Sequence, residues 1–182
     1  KGVGTFYMIN NIDSIYPKLI PIPYPKVGTT NPAAKAGVIN LNTKSTTWMQ
    51  IPGDPRNNYI AQMEWAASSE ELIIQQLNRE QNHNKIYFAN ANSGQSKVHY
   101  SEKTEAWLDI FTDMAWLDKG QKFTWRSDKT GWLHLYQISR DGKSEQAITK
   151  GAFEVISLLN IDEKNGWVYY IASPNHATQR YL

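Results

Sequence analysis

From Val38 onward, short runs rich in β-branched and aromatic residues alternate with clusters of turn formers. The clusters are Pro52-Gly53-Asp54-Pro55, Ser93-Gly94, Asp118-Lys119-Gly120, Asp141-Gly142 and Asn165-Gly166. Such runs are strand signals, and Asp-Gly and Asn-Gly supply the positive-φ positions of tight hairpins. No long stretch carries a convincing helical period. Ser69 to Glu80 comes nearest, but its centre, Leu72-Ile73-Ile74-Gln75-Gln76-Leu77, is read as a buried strand. Ahead of Val38, Pro17, Pro21, Pro23, Pro25 and Pro32 each remove a backbone donor and push the preceding residue toward extended geometry. That excludes a helix from Tyr16 to Pro32 and predicts an extended, partly exposed connector.

The pattern also repeats. Met63-Glu64-Trp65 returns as Met114-Ala115-Trp116, 51 residues later. Seven residues past each Trp stands an apolar residue, Leu72 and Phe123, and Ile161 with Val168 continues the offset 45 residues on. Ile39, Tyr87, Tyr136 and Tyr181, spaced by 48, 49 and 45, are read as equivalent positions of a following strand. A period of ~40–50 residues with several strands per unit is the signature of β-propeller blades. The predicted fold is therefore all-β: a partial β-propeller of about three blades built from four-stranded antiparallel sheets. Residues 1–37 form a Pro-rich lead-in, 38–51 the end of a blade, 60–103 and 107–151 two blades, and 153–182 an incomplete one. Complete propellers need ~4–8 blades, so this chain is read as one sector of a ring.

Composition supports the sheet reading and removes several functions. Among 182 residues there are 7 Trp, 10 Tyr and 5 Phe, large rings that favour broad half-buried β surfaces. The net charge of +2 comes from 19 basic and 17 acidic residues interleaved without a basic stripe, which argues against a nucleic-acid partner. No apolar run reaches the ~18–20 residues of a membrane span. With no cysteine, disulfides and thiolate chemistry are excluded. The chain opens Lys1-Gly2-Val3-Gly4 without an initiator Met or signal segment and closes in a β-like run, so both ends read as cuts through a longer protein.

The search for catalytic groups returns none. There is no Gly-x-Ser-x-Gly elbow, since Ser93-Gly94-Gln95-Ser96-Lys97 lacks the second glycine. His83, His99, His134 and His176 are scattered and never at the i, i+4 spacing of a zinc helix. His134, between Leu133 and Leu135, is read as a structural blade residue. No phosphate loop or calcium loop is present, so neither a metal nor a cofactor is expected. Asp109, Asp113 and Asp118 cluster near the start of a blade, with Asp118 in a turn. The repeat sets Glu70-Glu71 opposite another turn, where a solvated pair is expected.

Several ordered segments resemble the N-terminal β-propeller of the dipeptidyl peptidase IV family. Tyr24-Pro25-Lys26-Val27-Gly28 with Asn31-Pro32 is similar to that family's Tyr-Pro-Lys-Ala-Gly…Asn-Pro signature. Leu77-Asn78-Arg79-Glu80-Gln81-Asn82, and the run from Phe123 to Tyr136, resemble patterns of bacterial members. Ile148-Thr149-Lys150-Gly151 with Phe153-Glu154-Val155 matches the opening of the following blade. The resemblance implies a bacterial, exported parent, periplasmic or at the cell surface, that is a serine exopeptidase releasing N-terminal dipeptides with Pro or Ala second. It implies, as partners, a C-terminal α/β-hydrolase domain of the same parent chain carrying the triad, a peptide substrate, and a second copy in a homodimer of the parent. The propeller would cap the active site and admit only unblocked peptide N-termini, and this segment alone would be inactive. The family's Glu-Glu ammonium clamp precedes the Tyr-Pro-Lys motif and so would lie upstream of Lys1, and Glu70-Glu71 is not that pair. Trp107-Leu108-Asp109-Ile110-Phe111 resembles the segment whose Phe lines the extended side of the substrate pocket, making Phe111 the one implied substrate-binding residue; packing between blades is its other reading. The rival function is a non-catalytic propeller that binds protein or glycan; an aminopeptidase or tripeptidyl peptidase of the same fold is a third.

Overall fold

The computed structural model describes residues 2–182. Its strands are β1 (Thr5–Asn10), β2 (Lys18–Pro23), β3 (Gly37–Ile39), β4 (Thr46–Trp48), β5 (Asn58–Trp65), β6 (Glu71–Asn78) and β7 (His83–Asn90). They continue with β8 (Ser96–Lys103), β9 (Trp116–Leu117), β10 (Lys122–Ser127), β11 (His134–Ser139), β12 (Glu145–Ala147), β13 (Val155–Asp162) and β14 (Trp167–Ala172). Five antiparallel sheets result. Two are four-stranded, β5-β6-β7-β8 and β9-β10-β11-β12, each wound in chain order; β1-β2, β3-β4 and β13-β14 are pairs.

The seven-residue offset in the sequence has a simple cause: its two ends face each other across the first hairpin of a sheet. Trp65 pairs with Leu72, Trp116 with Phe123, and Ile161 with Val168. Tyr87 and Tyr136 likewise take equivalent third-strand positions. Ile39 does not. The turns Asn40–Ser45 and Asn90–Gln95 close with matching backbone bonds, which aligns Ile39 with Ala89 and sets Gly37 where Tyr87 stands. The close-packed Trp48 ring leaves no room for a side chain on Gly37, so the spacing falls instead on Ile39, a large apolar residue at the strand's end.

Alternation along β6 explains how an almost continuously apolar strand is used. Leu72 and Ile74 point to the face that meets Ala36 and Met49 beside the β3-β4 pair. Ile73 points oppositely and joins Ile86 and Phe88 against Phe123, Trp125, Tyr136 and Ile138 of the next sheet. A sheet buried on both faces reads in sequence as an unbroken apolar run, and that is what stacked blades require.

Neighbouring sheets also meet at their rims. The β7–β8 turn presses Gly94 against the Trp48 carbonyl, while the β11–β12 turn presses Gly142 against the His99 carbonyl. His99 stands where the β7-β8 register shifts, its ring stacked on Phe88 at 4.3 Å and its Nδ1 2.9 Å from the Arg140 carbonyl. Arg140 reaches back across the junction, donating to the Ala66 carbonyl and ion-pairing with Glu71. Glu70 is exposed as expected, whereas Glu71 opens β6 and is half-buried beneath Arg140. The turn alignment identified the solvated position but carried no information about a cation arriving from the neighbouring blade.

The lead-in differs more from expectation. Instead of a connector, Thr5–Pro23 folds into a ribbon, β1 paired with β2 from Thr5↔Pro23 to Asn10↔Lys18. Tyr24 N donates to the Gly4 carbonyl, so the residues alternating with it, Pro21 and Pro23, direct their nitrogens to the outer edge. Spacing by two places both donor-less residues on that edge, where no ladder bond is lost. The ribbon's apolar side chains stay outside: Ile9, Ile12 and Ile15 are 68%, 90% and 95% exposed.

Candidate substrate-binding site

The connector from β8 to β9, residues 104–115, crosses the end of two sheets. Its start is pinned by Thr104 N to the Asn82 carbonyl at 3.0 Å and by Leu108 N to the Gln81 carbonyl at 2.9 Å. Beyond the buried Leu108 it borders a cleft of about 240 Å³, lined among others by Glu102, Asp109, Phe111, Arg126, Asp128 and Glu154.

Phe111 is half-buried and held on two sides. Its carbonyl accepts the Gln75 amide at 3.2 Å, and its ring lies 4.1 Å beneath the Arg126 guanidinium. Arg126 is in turn fixed by Asp113, through Nε to Oδ1 at 3.0 Å and Nη2 to Oδ2 at 2.9 Å. Asp113 Oδ2 also accepts Leu158 N at 3.0 Å, tying the site to β13. The aspartate cluster therefore divides: Asp113 orients a cation, Asp109 lines the cleft exposed, and Asp118 sits in a turn 3.7 Å from Lys122.

The remaining carboxylates are partly engaged. Glu102 accepts the Trp125 indole at 2.8 Å and the Ser127 hydroxyl; Glu154 accepts Leu133 N at 2.8 Å. Ser127 is thus a donor to a carboxylate, and no histidine among the described residues lines the cleft to act as its base. His134 is buried, with Nδ1 3.1 Å from Thr149 Oγ1 and Nε2 3.0 Å from the Gly151 carbonyl, so both ring nitrogens are engaged within the blade. The cleft thus brings together one aromatic wall, one fixed guanidinium and a rim of acids.

Two titratable groups, Tyr100 in β8 and Glu64 in β5, are tuned by their surroundings. Burial, then the Glu102 and Glu145 charges, pushes the Tyr100 phenol far above its ordinary range, keeping it a neutral donor to Glu145 at 3.0 Å. Burial also raises the Glu64 carboxyl above its ordinary 4.5. The folded state then holds that proton more tightly than the unfolded chain, so the associated stability is full below pH 4.5 and is lost as pH rises through the raised value. Glu64→Gln should therefore raise the melting temperature at pH 7 by roughly 1–3 °C, with the gain gone near pH 4. Thermal scans of both proteins at the two pH values check this, and a gain that persists in acid would show that proton linkage is not its source.

Neither the Phe123–Tyr136 run nor the aspartate cluster singles out Arg126 or Asp113 for this site, and Gln75 lies in no motif. The available signal was the pair of amides inside an apolar run, because buried polar groups require partners.

The family model described as the dipeptidyl peptidase IV (DPP IV) N-terminal region matches residues 1–182. A protein named "probable dipeptidyl peptidase 4" from Emericella nidulans is 33% identical over 199 aligned residues, covering 100% of this chain and 26% of that protein. The dipeptidyl peptidase 4 of Trichophyton rubrum is 30% identical over 173 residues, covering 92% of this chain and 22% of its own length. The crystal structure of Porphyromonas gingivalis dipeptidyl peptidase 4 superposes with a TM-score of 0.87 at 25% identity, over 98% of this chain and 25% of that one. The chain thus spans about a quarter of the length of these relatives, and its fold is an all-β partial propeller.

Proposed function

Because the chain belongs to the family of dipeptidyl peptidase IV N-terminal regions, we propose that it positions the free N-terminal ends of peptides for hydrolysis by a separate domain of the same parent polypeptide. That domain is an α/β-hydrolase carrying a serine nucleophile, and the product is an N-terminal dipeptide with Pro or Ala second. This segment supplies binding and access control; the bond-breaking groups lie elsewhere in the parent. What supports the reading is that Phe111, the aromatic singled out by its sequence context, borders an open cleft beside a fixed cation and a rim of acids.

The test uses the parent polypeptide and chromogenic Ala-Pro and Gly-Pro substrates, each with a free and with a blocked N-terminus. Free substrates should be hydrolysed and blocked ones left intact. Phe111→Ala should raise KM about 5- to 10-fold, near 1–1.4 kcal/mol of lost binding, with kcat little changed. A parent that cleaves neither form would be a binding scaffold rather than a peptidase, and the proposal would fall.

A further inference from the structure

Within the run Leu72–Leu77 of strand β6, two amides stand among four apolar residues. Gln75 is 1% and Gln76 6% exposed, and because they are consecutive they point to opposite faces. A buried amide persists only if it is hydrogen-bonded, and each of these is bonded to the backbone of a different connector. Gln76 Nε2 donates to the Pro52 carbonyl at 2.8 Å, ahead of β5. Gln75 Nε2 donates to the Phe111 carbonyl at 3.2 Å, ahead of β9. Behind it, Asn84 (2% exposed) donates its Nδ2 to Gln75 Oε1 at 3.0 Å, which fixes the orientation of the amide.

The Gln75 contact recurs in the next sheet. Gln75 follows Leu72 by the same step as Arg126 follows Phe123, and Leu72 and Phe123 are matched by their pairing with Trp65 and Trp116. Arg126 donates Nη1 to the Ile156 carbonyl at 2.7 Å, and Ile156 precedes Ile161 by the step that separates Phe111 from Trp116. One register position in the second strand of both four-stranded sheets thus holds backbone that enters the following sheet, the connector ahead of β9 in one case and the start of β13 in the other. Only at the first of these junctions is the secured residue an aromatic bordering a cleft.

We propose that Gln75 is a positioning residue for substrate binding. It fixes the backbone at Phe111 so that the ring, clamped on its other side by Arg126, presents one face to the cleft. This rests on the reading of Phe111 as part of the substrate pocket. Removing the amide lets the connector relax, loosening the aromatic wall without touching the bond-breaking groups, so the effect falls on affinity and not on turnover.

The experiment compares Gln75→Met, Phe111→Ala and the double variant in the parent polypeptide, by steady-state kinetics on Ala-Pro and Gly-Pro substrates. Methionine keeps the length and burial of the side chain without its donor. Gln75→Met should raise KM about 3- to 8-fold and hold kcat within about 2-fold. In the Phe111→Ala background the same change should add nothing, since a residue acting through the ring has no effect once the ring is gone. Should Gln75→Met fail to fold, Asn84→Ala, which leaves Gln75 in place but unbraced, should raise KM in the same direction by a smaller factor. Effects that multiply in the double variant, or a fall in kcat with KM unchanged, would overturn the inference. If Phe111→Ala raises KM and neither Gln75→Met nor Asn84→Ala does, the inference alone falls; if Phe111→Ala leaves KM unchanged, the pocket reading falls and takes the inference with it.

Discussion

Gly142→Ala is expected to destabilise the folded chain by at least about 3 kcal/mol, the largest effect among the glycines. Two costs combine. Gly142 has φ of 72°, a left-handed conformation costing an L-residue about 1–2 kcal/mol. Its added Cβ would also fall well inside contact distance of the His99 carbonyl oxygen. Neither backbone has room to retreat: His99 is held by the stack on Phe88 and by the bond to the Arg140 carbonyl. Gly166→Ala separates the two costs, because Gly166 has φ of 74° but open space around it. It should lose only about 1 kcal/mol. Denaturant midpoints of the two variants decide the matter: coincident curves would mean that the rim of one sheet does not press on the next.

The second large effect is expected at the centre of the inter-sheet core. Phe123 is fully buried, with ring centroids of Trp116, Trp125 and Phe88 at 5.7, 6.4 and 6.4 Å. Phe123→Ala removes the shared partner of three rings and should cost about 3–5 kcal/mol, because flanking sheets tied at both rims cannot close the cavity. Phe123→Leu retains most of the volume and should cost about 1–1.5 kcal/mol. Urea unfolding with an unchanged slope measures both. Equal costs for the two variants would show that the site collapses and that the aromatic geometry contributes little.

The strand content, the period and the offset between paired residues were legible because each follows from a local rule. Burial on both faces writes an apolar run at Leu72–Leu77 broken only by Gln75 and Gln76, tight turns favour Asp-Gly or Asn-Gly, and facing positions keep a constant separation. The β1-β2 ribbon was not legible. Five prolines read as breakers until the register shows that Pro21 and Pro23 occupy one edge, and an edge is a property of pairing rather than of the residues. The surroundings of Phe111 escaped for a related reason. Gln75, Asp113 and Arg126 are brought to it from separate strands and connectors, and no spacing along the chain encodes a contact between neighbouring sheets. Arg140 with Glu71 is the same case, an ion pair 69 residues apart in sequence.

The ribbon's outer edge has a consequence for solubility. An exposed strand edge flanked by Ile9, Ile12, Ile15 and Leu19 would ordinarily template the addition of another chain, the first step toward fibrous aggregates. On the outward side of β2 the backbone nitrogens belong to Leu19, Pro21 and Pro23, and two of those three carry no hydrogen to donate. An incoming strand therefore finds an incomplete ladder, and growth by edge addition stalls after one rung. The prolines that exclude a helix here thus also blunt one edge of an apolar hairpin against the addition of a second chain.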